Sequence, residues 1–375
     1  MGNGFKPLMN HVAGRPARFP AEAEPHAGVC LTKTSKDLTA RHRLVLATAR
    51  VLLTLRHPRL VTRFVKKAGY LPNPAAPRRY HEMMLWRKIF DRNPLFVTFS
   101  DKLAAKAYIR DVCPDLPLPA TLWSGDDPGD IPLGLLAGNV VIKANHGCDM
   151  NAFISGGLPD RAEIVRTARR WLGKRYGRRD GEWAYWPIKP TVFAEEKLEL
   201  SGGTVATDIK VHVCGGVISH VWVEDKQACR SHLFDGEGTP LPGRDPDYPR
   251  EDQSLTVGQR IVDHVRQAAA VARRIAGDLD HIRVDFLVTD DQLYGGEIVV
   301  YTAAGYATWT NPIIEERLET FWRLDRSAYL RSRRRGIGRF YAEALRAWLA
   351  VRDAALAGTM TVSAGSTKGR QAARP

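Results

Sequence analysis

The chain has 375 residues and a formal net charge of +14, with 44% hydrophobic and 26% charged residues. This length allows two or three lobes around a substantial core, and the composition excludes a collagen-like or generally disordered chain. The cysteines lie far apart without a CxxC pair, and their odd number leaves one unpaired in any disulfide scheme. We therefore expect a globular, cytoplasmic protein with reduced thiols at Cys30, Cys113, Cys148, Cys214 and Cys229.

Neither membrane insertion nor export is expected. The longest apolar run, residues 44–55, is interrupted by Arg50 and is shorter than the roughly 20 residues of a membrane-spanning helix. The beginning of the chain lacks the continuous apolar stretch and small-residue cleavage site of a secretory signal.

Basic residues are concentrated in the first part of the chain. Residues 1–100 contain 18 Lys or Arg and 5 Asp or Glu, which gives a local charge of +13. Such a segment attracts anionic partners, for example an acidic polysaccharide or the headgroups on the inner face of a membrane. A solvated basic face explains the same charge, and no specific nucleic acid partner is expected.

The first forty residues mix glycine, proline and charge without a period, which predicts a loosely ordered segment. Arg41 to Lys67 then predicts a helix with leucines among arginines, which ends before Pro72, Pro74 and Pro77. This helix is either an amphipathic surface helix or one that packs its apolar side on the rest of the protein.

From Ser100 onward, helical and extended segments alternate, which predicts an α+β or α/β arrangement. Asp290 and Asp291 predict a turn, so the two strands around them are expected to form a hairpin. The predicted helices are 101–110, 161–176, 257–276 and 340–352, and the predicted strands are 140–144, 192–194, 209–213, 217–223, 282–288 and 293–300.

Two carboxylates are predicted to meet on this hairpin. Asp285 and Glu297 lie on its adjacent strands, where near-opposite residues approach within several ångströms. Mg²⁺ prefers such oxygen ligands together with waters and substrate phosphates. Arg283 points to the same face as Asp285 and can stabilise charge on a transferring phosphoryl group or an acyl oxygen. A solvated hairpin with surface carboxylates is the alternative.

A second candidate segment ends the apolar strand Val140 to Ala144. Lys143 lies at the strand end, where a lysine can contact a phosphate as a point charge. The following loop contains His146 and Gly147, and its exposed amides can close over a phosphate chain. An ordinary turn is the alternative interpretation.

The third segment, Pro190 to Leu198, is extended and ends in acids. This segment could lie beside an adenine. Glu195 or Glu196 can accept a hydrogen bond from the adenine amine or the ribose hydroxyls, while main-chain groups near Lys197 and Leu198 can hydrogen-bond to the base. A surface strand end is the alternative. Lys102 and Lys210, which open a helix and lie in a strand, are each compatible with an ordinary surface position.

In this order, the segments resemble the ATP-grasp superfamily, and specifically its branch similar to the teichuronopeptide-biosynthesis (TupA-like) ligases. The resemblance covers about Phe99 to Trp309, and NHG and RVD with GE are its specific parts. The matching motifs are DK at Asp101-Lys102, K-x-NHG at Lys143 to Gly147, AEE at Ala194 to Glu196, D-x-K at Asp208 to Lys210, RVD at Arg283 to Asp285 and GE at Gly296-Glu297.

The resemblance implies an α+β, ATP-grasp fold in which two α+β lobes hold ATP between them. It implies Mg²⁺ on Asp285 and Glu297, and a role for Arg283 in acyl transfer. It also implies an ATP site formed by Lys102, Lys143, His146, Gly147, Glu195, Glu196, Leu198 and Lys210, with the lysines near the phosphates and the glutamates by the nucleoside.

This chain departs from the family pattern after Glu297. Many ATP-grasp enzymes have a metal-binding Asn two residues later, where this chain has Val299. The usual glycine-rich stretch is altered to Thr302 to Tyr306. Four parts are predicted: a basic, partly helical N-terminal extension (1–95), the ATP-grasp domain (96–325), a C-terminal helix (326–355) and a disordered tail (356–375).

The resemblance predicts an ATP-dependent carboxylate-amine ligase that forms an amide through an acyl phosphate. The expected partners are an amino acid or amine and a carboxylate, such as a uronic-acid sugar or a precursor of a cell-surface polysaccharide. An ATP-dependent phosphotransferase on the same scaffold is one alternative. A non-catalytic protein that binds an anionic polymer or membrane is another.

Overall fold

The computed structural model describes residues 38–156, 160–200, 204–225, 230–242, 259–289, 292–307, 309 and 311–368. The segment predicted to be loosely ordered therefore lies almost entirely outside the described residues, as do the predicted turn at Asp290 and Asp291 and the end of the chain from 369.

The described residues form helices and two main antiparallel sheets. The helices are α1 (Ala40–Arg56), α2 (Pro58–Ala68), α3 (Tyr80–Phe90), α4 (Leu95–Ser100), α5 (Lys102–Val112), α6 (Leu133–Leu136), α7 (Arg161–Leu172), α8 (Gln259–Ala276), α9 (Pro312–Phe321), α10 (Ala328–Arg331) and α11 (Gly336–Lys368). The strands are β1 (Thr121–Gly125), β2 (Asn139–Ala144), β3 (Asn151–Ser155), β4 (Val192–Glu196), β5 (Glu199–Leu200), β6 (Thr204–Val205), β7 (Thr207–Cys214), β8 (Val217–Asp225), β9 (Arg230–Phe234), β10 (Ile282–Val288) and β11 (Leu293–Val299).

The chain divides into two compact units, and one of them contains Arg92–Phe321. This unit holds a four-stranded sheet in the order β1-β4-β2-β3 and a five-stranded sheet in the order β11-β10-β7-β8-β9. The predicted strands fall within β2, β4, β7, β8, β10 and β11, except that the last ends at Val299 rather than 300. The predicted α+β class is confirmed.

The four-stranded sheet has one apolar and one partly charged face. Ile142 and Ala194 are fully buried on the apolar face, which packs against Ile164 and Ala168 of α7. Because side chains alternate along a strand, Lys143 of β2 lies on the opposite face.

The five-stranded sheet follows the same rule. Ile282, Val284 and Phe286 alternate as buried residues along β10, and α8 covers this face of the sheet. The intervening side chains, Arg283 and Asp285, lie on the other face. This polar face carries Asp285, which the sequence predicts as a metal ligand, and Arg283, which it predicts to stabilise a transferring phosphoryl group or an acyl oxygen.

The second compact unit joins the two ends of the described chain, residues 38–91 and 322–368. Trp86 Nε1 donates to the Tyr341 hydroxyl at 2.8 Å, which in turn donates to Ala75 O at 3.0 Å. The rings of Phe90 and Tyr341 stack with centroids 4.9 Å apart. From the sequence, the two ends were predicted to be separate parts. Contacts between residues more than 200 positions apart leave no pattern in the local sequence, so this unit could not be predicted.

Two helix predictions in this unit need correction. The helix predicted from Arg41 to Lys67 is two helices, because Pro58 opens α2 and His57 adopts a non-helical conformation with φ −121° and ψ 49°. The last helix extends to Lys368 rather than ending at Arg352, so the tail predicted from 356 is helical as far as it is described. None of the described helices is long and apolar enough to cross a membrane.

Candidate ATP-binding and ligation site

The loop after β2 is fixed to the start of α5. Asp101 caps α5 by accepting hydrogen bonds from two backbone amides of its first turn. The backbone amide of Lys102 donates to Asn145 O at 3.0 Å. The Asn145 side chain accepts from Thr191 N at 2.8 Å and donates to Lys189 O at 3.1 Å. Asn145 of the NHG motif therefore connects the DK helix to the segment before β4.

A buried carboxylate holds two lysines on the charged face of the four-stranded sheet. Glu195 is 3% exposed; its Oε2 accepts from Lys106 Nζ at 2.6 Å, and its Oε1 pairs with Lys143 Nζ. Lys106 also donates to Pro119 O at 2.7 Å. Burial lowers the pKa of Lys106, and Glu195 partly opposes this effect. The Glu195 side chain is thus engaged with lysines, whereas the sequence placed it by the nucleoside.

Lys106 was not among the predicted site residues. It lies four positions after Lys102 on α5, so both lysines project from the same side of the helix. This i, i+4 spacing after the DK motif is the signal in the sequence that could have identified it.

Lys102 forms an ion pair with the predicted metal ligand Glu297, with Nζ 2.6 Å from Oε1. Burial alone would raise the pKa of Glu297, but Lys102 and Lys143 lower it to about 2. Burial also disfavours charged Lys102, yet Glu297 outweighs this and raises the pKa of the lysine. Both groups are therefore ionised at neutral pH. Lysines from α5 and from the four-stranded sheet thus act on one carboxylate of the five-stranded sheet.

Arg283 and Asp285 form a bidentate pair on the polar face of β10. Arg283 Nε and Nη2 donate to the two Asp285 carboxylate oxygens at 2.6 Å each. Burial opposes the charge of Arg283, but Asp285 raises its pKa. Lys210 is the register partner of Asp285 on β7 and pairs with Glu224, a 6% exposed residue that the sequence did not identify.

A β-bulge brings the GE motif against Asp285. The register of β10 and β11 shifts between Val284 and Phe286, which leaves an extra residue on β11. A Cβ atom on Gly296 would lie only 2.7 Å from Asp285 O. Glycine is therefore required for this approach, and the bulge places Glu297 beside the Asp285 segment.

His146 and Gly147 shape the loop after β2. His146 is 3% exposed, and its Nε2 lies 3.1 Å from Trp171 O. Because a carbonyl only accepts, Nε2 carries the proton; burial lowers the pKa of this imidazole. A Cβ atom on Gly147 would come within 2.6 Å of the Tyr176 ring. The structure thus gives both residues packing roles, and their contacts with ATP stay a prediction.

Glu196 and Leu198 lie at the end of β4. Glu196 is exposed, and its Oε2 accepts from Ala120 N at 3.2 Å. Leu198 is half-buried. Because adjacent side chains of a strand point to opposite faces, Glu196 does not share the face on which Glu195 holds its lysines. The nucleoside contacts of Glu196 and Leu198 also stay predictions.

A cavity lies between α5 and the GE strand. It places the Lys102–Glu297 pair next to the free thiol of Cys148, whose pKa is raised by burial. Val299 contributes an apolar surface at the position where many ATP-grasp enzymes have a metal-binding Asn. The cavity is lined by Phe99, Ser100, Lys102, Ala105, Cys148, Tyr185, Gly296, Glu297, Ile298 and Val299.

The altered glycine-rich stretch is conformationally strained. Ala303 and Ala304 have φ values of 47° and 53°, and Gly305 follows with 74°. Two consecutive alanines in the left-handed region are uncommon, because their Cβ atoms crowd the backbone. Such strain is concentrated at functional sites, and here it begins four residues after the end of β11.

Three buried histidines lie beside Arg283. His212 is the register partner of Arg283, its Nδ1 is 3.1 Å from His281 Nε2, and its ring stacks on His220 at 4.3 Å. Burial, assisted by the neighbouring His220 and His281, lowers the pKa of His212 well below its ordinary value. Burial likewise lowers the pKa of His220 to about 3. Both imidazoles are therefore neutral at neutral pH.

The residues present fit a magnesium ion. Among the described residues, no group of three or more His, Cys, Asp or Glu side chains could hold a metal. Mg²⁺ does not need such a cage, since one or two carboxylates suffice when substrate phosphates and waters complete its coordination. Asp285 and Glu297 supply two hard oxygen ligands, and the low pKa of Glu297 keeps its carboxylate ionised.

A family model for TupA-like ATP-grasp proteins matches residues 82–320. The chain belongs to the TupA-like ATP-grasp family. This confirms the resemblance seen in the sequence, the predicted ATP-grasp fold and the expectation of an ATP-grasp enzyme. The match begins at Glu82, within the segment that the sequence assigned to the N-terminal extension. No curated protein matches the chain.

Several solved structures are similar to this TupA-like protein. A D-alanine-D-alanine ligase from Bacillus anthracis complexed with ATP is 14% identical, covers 68% of this chain and 66% of its own, and has a TM-score of 0.33. An L-amino acid ligase from Bacillus licheniformis is 9% identical, with 64% and 51% coverage and a TM-score of 0.36. The ATP-grasp ligase PsnB complexed with minimal precursor is 14% identical, with 58% and 59% coverage and a TM-score of 0.31. The chain thus spans less than two thirds of the length of each.

Proposed function

We propose that this protein is an ATP- and Mg²⁺-dependent carboxylate-amine ligase. The convergence of cations and carboxylates around Glu297 is the observation that supports this function most strongly. Lys102 pairs with Glu297 directly, Lys143 of the other sheet lowers its pKa, and Arg283 pairs with Asp285 on the neighbouring strand. The cations can bind a nucleoside triphosphate and an acyl phosphate, and the carboxylates can bind an activating metal ion.

The chemistry follows from the poor reactivity of a carboxylate. Phosphorylation by ATP converts it into an acyl phosphate, from which phosphate can leave when the amine attacks. Lys102, Lys143 and Lys210 would bind phosphate oxygens through charge-assisted contacts, and Arg283 would stabilise negative charge on the transferring phosphoryl group and acyl oxygen. In the structure, each of these cations is paired with a carboxylate. When the nucleotide binds, its phosphates would provide each cation with an alternative anionic partner.

Asp285 and Glu297 are the residues that would hold Mg²⁺. When bound, the ion would neutralise phosphate charge during transfer. Val299 supplies no oxygen ligand at the position where many ATP-grasp enzymes have an asparagine, so the proposed site has two protein carboxylates. Glu195 acts in this proposal by orienting Lys143, because its carboxylate pairs with Lys143 and Lys106.

The proposed substrates are an amino acid or other amine and a carboxylate, such as a uronic-acid sugar in the synthesis of a cell-surface polysaccharide. The motif resemblance to teichuronopeptide ligases supports this choice. The proposed location is the cytoplasm, where ATP is supplied. A phosphotransferase on the same scaffold is the second candidate, since the nucleotide and metal residues do not specify the acceptor.

Product analysis distinguishes the two functions. Purified protein is incubated with ATP, Mg²⁺, pooled amino acids and glucuronate, and the products are identified by mass spectrometry. A ligase yields an amide together with ADP and phosphate. A phosphorylated sugar or amino acid without an amide would identify a phosphotransferase and contradict the ligase.

A matched pair of variants controls this experiment. Asp285→Asn removes a predicted metal ligand from a bidentate arginine pair. Asp325→Asn makes the same change in the Arg323–Asp325 pair, which has the same spacing and bidentate geometry but lies in the helical unit. We expect amide formation to be lost with Asp285→Asn and retained with Asp325→Asn. Equal activity of both variants would remove Asp285 from the site.

A further inference from the structure

Helix α1 has an exposed apolar side. Leu44, Val51 and Leu55 are 68%, 58% and 71% exposed, and their i, i+7, i+11 spacing aligns them along one stripe of the helix. Leu52 lies beside this stripe and is 58% exposed. Isolated exposed leucines are ordinary, but a row of large apolar side chains over three helical turns indicates an interaction surface.

The opposite side of α1 is already packed. Leu46 is buried at 7% exposure, and α1 contacts α11 within the helical unit. The helix is therefore apolar on two sides, and only one of them contributes to the core of its own unit.

The exposed apolar side lies within a strongly basic segment. Residues 40–68, which include α1 and α2, contain eight Lys or Arg and no Asp or Glu. The exposed cations among them are Arg41, Arg43, Arg50, Arg56, Arg59, Lys66 and Lys67. A helix that presents apolar side chains together with a cluster of cations is typical of binding to the surface of an anionic membrane.

Other binding partners would match only the apolar or only the basic part of this surface. A second copy of the chain, joined through the same face by two-fold symmetry, would cover the leucines but would bring two sets of eight cations together. A soluble acidic polymer would neutralise the cations but leave the leucines in water. An anionic bilayer provides both acyl chains for the leucines and negative headgroups for the cations.

We propose that α1 is a membrane-docking helix, whose stripe of Leu44, Val51 and Leu55 enters the boundary between headgroups and acyl chains of an anionic lipid surface. Amphipathic helices bury their apolar side about 5–10 Å into this boundary. The 17 residues of α1 give it a length of about 25 Å, enough to lie along the surface as one element. This proposal does not depend on the ligase function.

Vesicle cosedimentation tests the docking surface with the full chain. The probes are vesicles of phosphatidylcholine alone and vesicles that also contain phosphatidylglycerol. We expect the wild-type protein to bind the anionic vesicles, and binding to weaken as salt rises, because exposed charges are screened. Leu44→Ser/Leu55→Ser should lower the vesicle affinity by about tenfold or more, since each buried aliphatic side chain favours partitioning.

Leu122→Ser/Leu133→Ser is the matched control, because these leucines are 46% and 60% exposed but lie in the other compact unit. It should bind vesicles as the wild type does. Circular dichroism should show that both double variants are folded, since substitutions at exposed positions change stability little. Soluble polyglucuronate should bind the Leu44→Ser/Leu55→Ser variant as it binds the wild type.

Three results would overturn the proposal. The first is equal vesicle binding by Leu44→Ser/Leu55→Ser and the wild type. The second is equal binding of the wild type to neutral and anionic vesicles, which would remove the role of the cations. The third is a shift from dimer to monomer in Leu44→Ser/Leu55→Ser, measured by analytical ultracentrifugation, without loss of vesicle binding. That outcome would assign the stripe to self-association.

Discussion

Glu195 holds two lysines that we expect to have different functions. Lys106 has a 9% exposed side chain that bonds Glu195 and Pro119 O, so it is enclosed by protein groups. Lys143 is 18% exposed and also acts electrostatically on Glu297. The shared carboxylate fixes both side chains, but only Lys143 also acts on the carboxylate proposed to hold the metal.

Methionine substitutions should separate these functions. Lys106→Met should lower the free energy of unfolding by about 3 kcal/mol, because loss of one partner leaves buried charge poorly compensated. Lys143→Met should instead weaken ATP binding by roughly tenfold or more, since a charge-assisted phosphate contact is lost. Urea unfolding and isothermal titration calorimetry measure the two effects. If Lys143→Met left the ATP affinity unchanged, Lys143 would be a structural residue like Lys106.

The sequence correctly predicted the face of the sheet to which a side chain points where alternation along a strand decides it. Arg283 and Asp285 share a face because they are two positions apart, and the structure places them there as a pair. The same rule could not show that Glu195 would turn towards lysines, since Lys106 and Lys143 come from elements distant in the chain. Partner choice depends on tertiary packing, which local spacing does not specify.

Among the elements, the β10–β11 hairpin positions both predicted metal ligands. The sequence predicted the hairpin, which the structure contains, but not the bulge that sets Gly296 against Asp285. A bulge forms where the hydrogen bonds between two strands shift by one residue. The alternation of apolar and polar residues in this hairpin does not reveal the position of that shift. Gly296 is the residue that makes the shift possible, because its missing Cβ leaves room for Asp285 O.

Substitution of Gly296 should therefore disturb the metal site. Gly296→Ala would place a Cβ atom 2.7 Å from a backbone oxygen that has little freedom to move, at an overpacking cost of about 2 kcal/mol. We expect the affinity for ATP in the presence of Mg²⁺ to fall by more than the loss of folding stability explains. The reason is that the added Cβ atom would displace the backbone that carries both carboxylates. Gly134→Ala, with no atom within 4 Å of the added Cβ and no positive φ, is the control. Equal ATP affinity for the two variants would exclude a role for the bulge.

The histidine stack on the same sheet should make folding sensitive to acid. The pKa of His220 is lowered by burial from its ordinary value of 6.5 to about 3. Below about pH 6.5 the unfolded chain binds a proton that the folded chain does not, so stability falls as pH decreases towards about 3. Protonation of His220 in the unfolded chain alone should lower the free energy of unfolding by about 2 kcal/mol between about pH 6.5 and about pH 5.

This contribution is measured by urea unfolding at about pH 7 and about pH 5 for the wild type and His220→Phe. The phenylalanine variant keeps an aromatic ring in the stack but removes the titrating group. We expect its stability to depend less on pH than that of the wild type. An identical pH dependence would mean that His220 is protonated to the same extent in the folded and unfolded states.

At the scale of the whole molecule, the family and fold were predictable because the motifs occur in a fixed order between Phe99 and Trp309. The division of the chain was less predictable. Residues near both ends form one helical unit, through contacts such as Trp86 with Tyr341. Leu46, Val61 and Phe64 are buried in that unit, so the helices of the basic segment have a structural role in addition to any docking role.

The most direct test of the ligase is the fate of the carboxylate oxygen. A carboxylate labelled with heavy oxygen is incubated with ATP, Mg²⁺, the amine and the enzyme, and the released phosphate is analysed by mass spectrometry. An acyl phosphate requires one labelled oxygen to pass from the acid to phosphate for each amide formed, and Asp285→Asn should abolish both products together. Amide formation with unlabelled phosphate would contradict the acyl-phosphate route, and labelled acid recovered unchanged beside a phosphorylated acceptor would contradict the ligase itself.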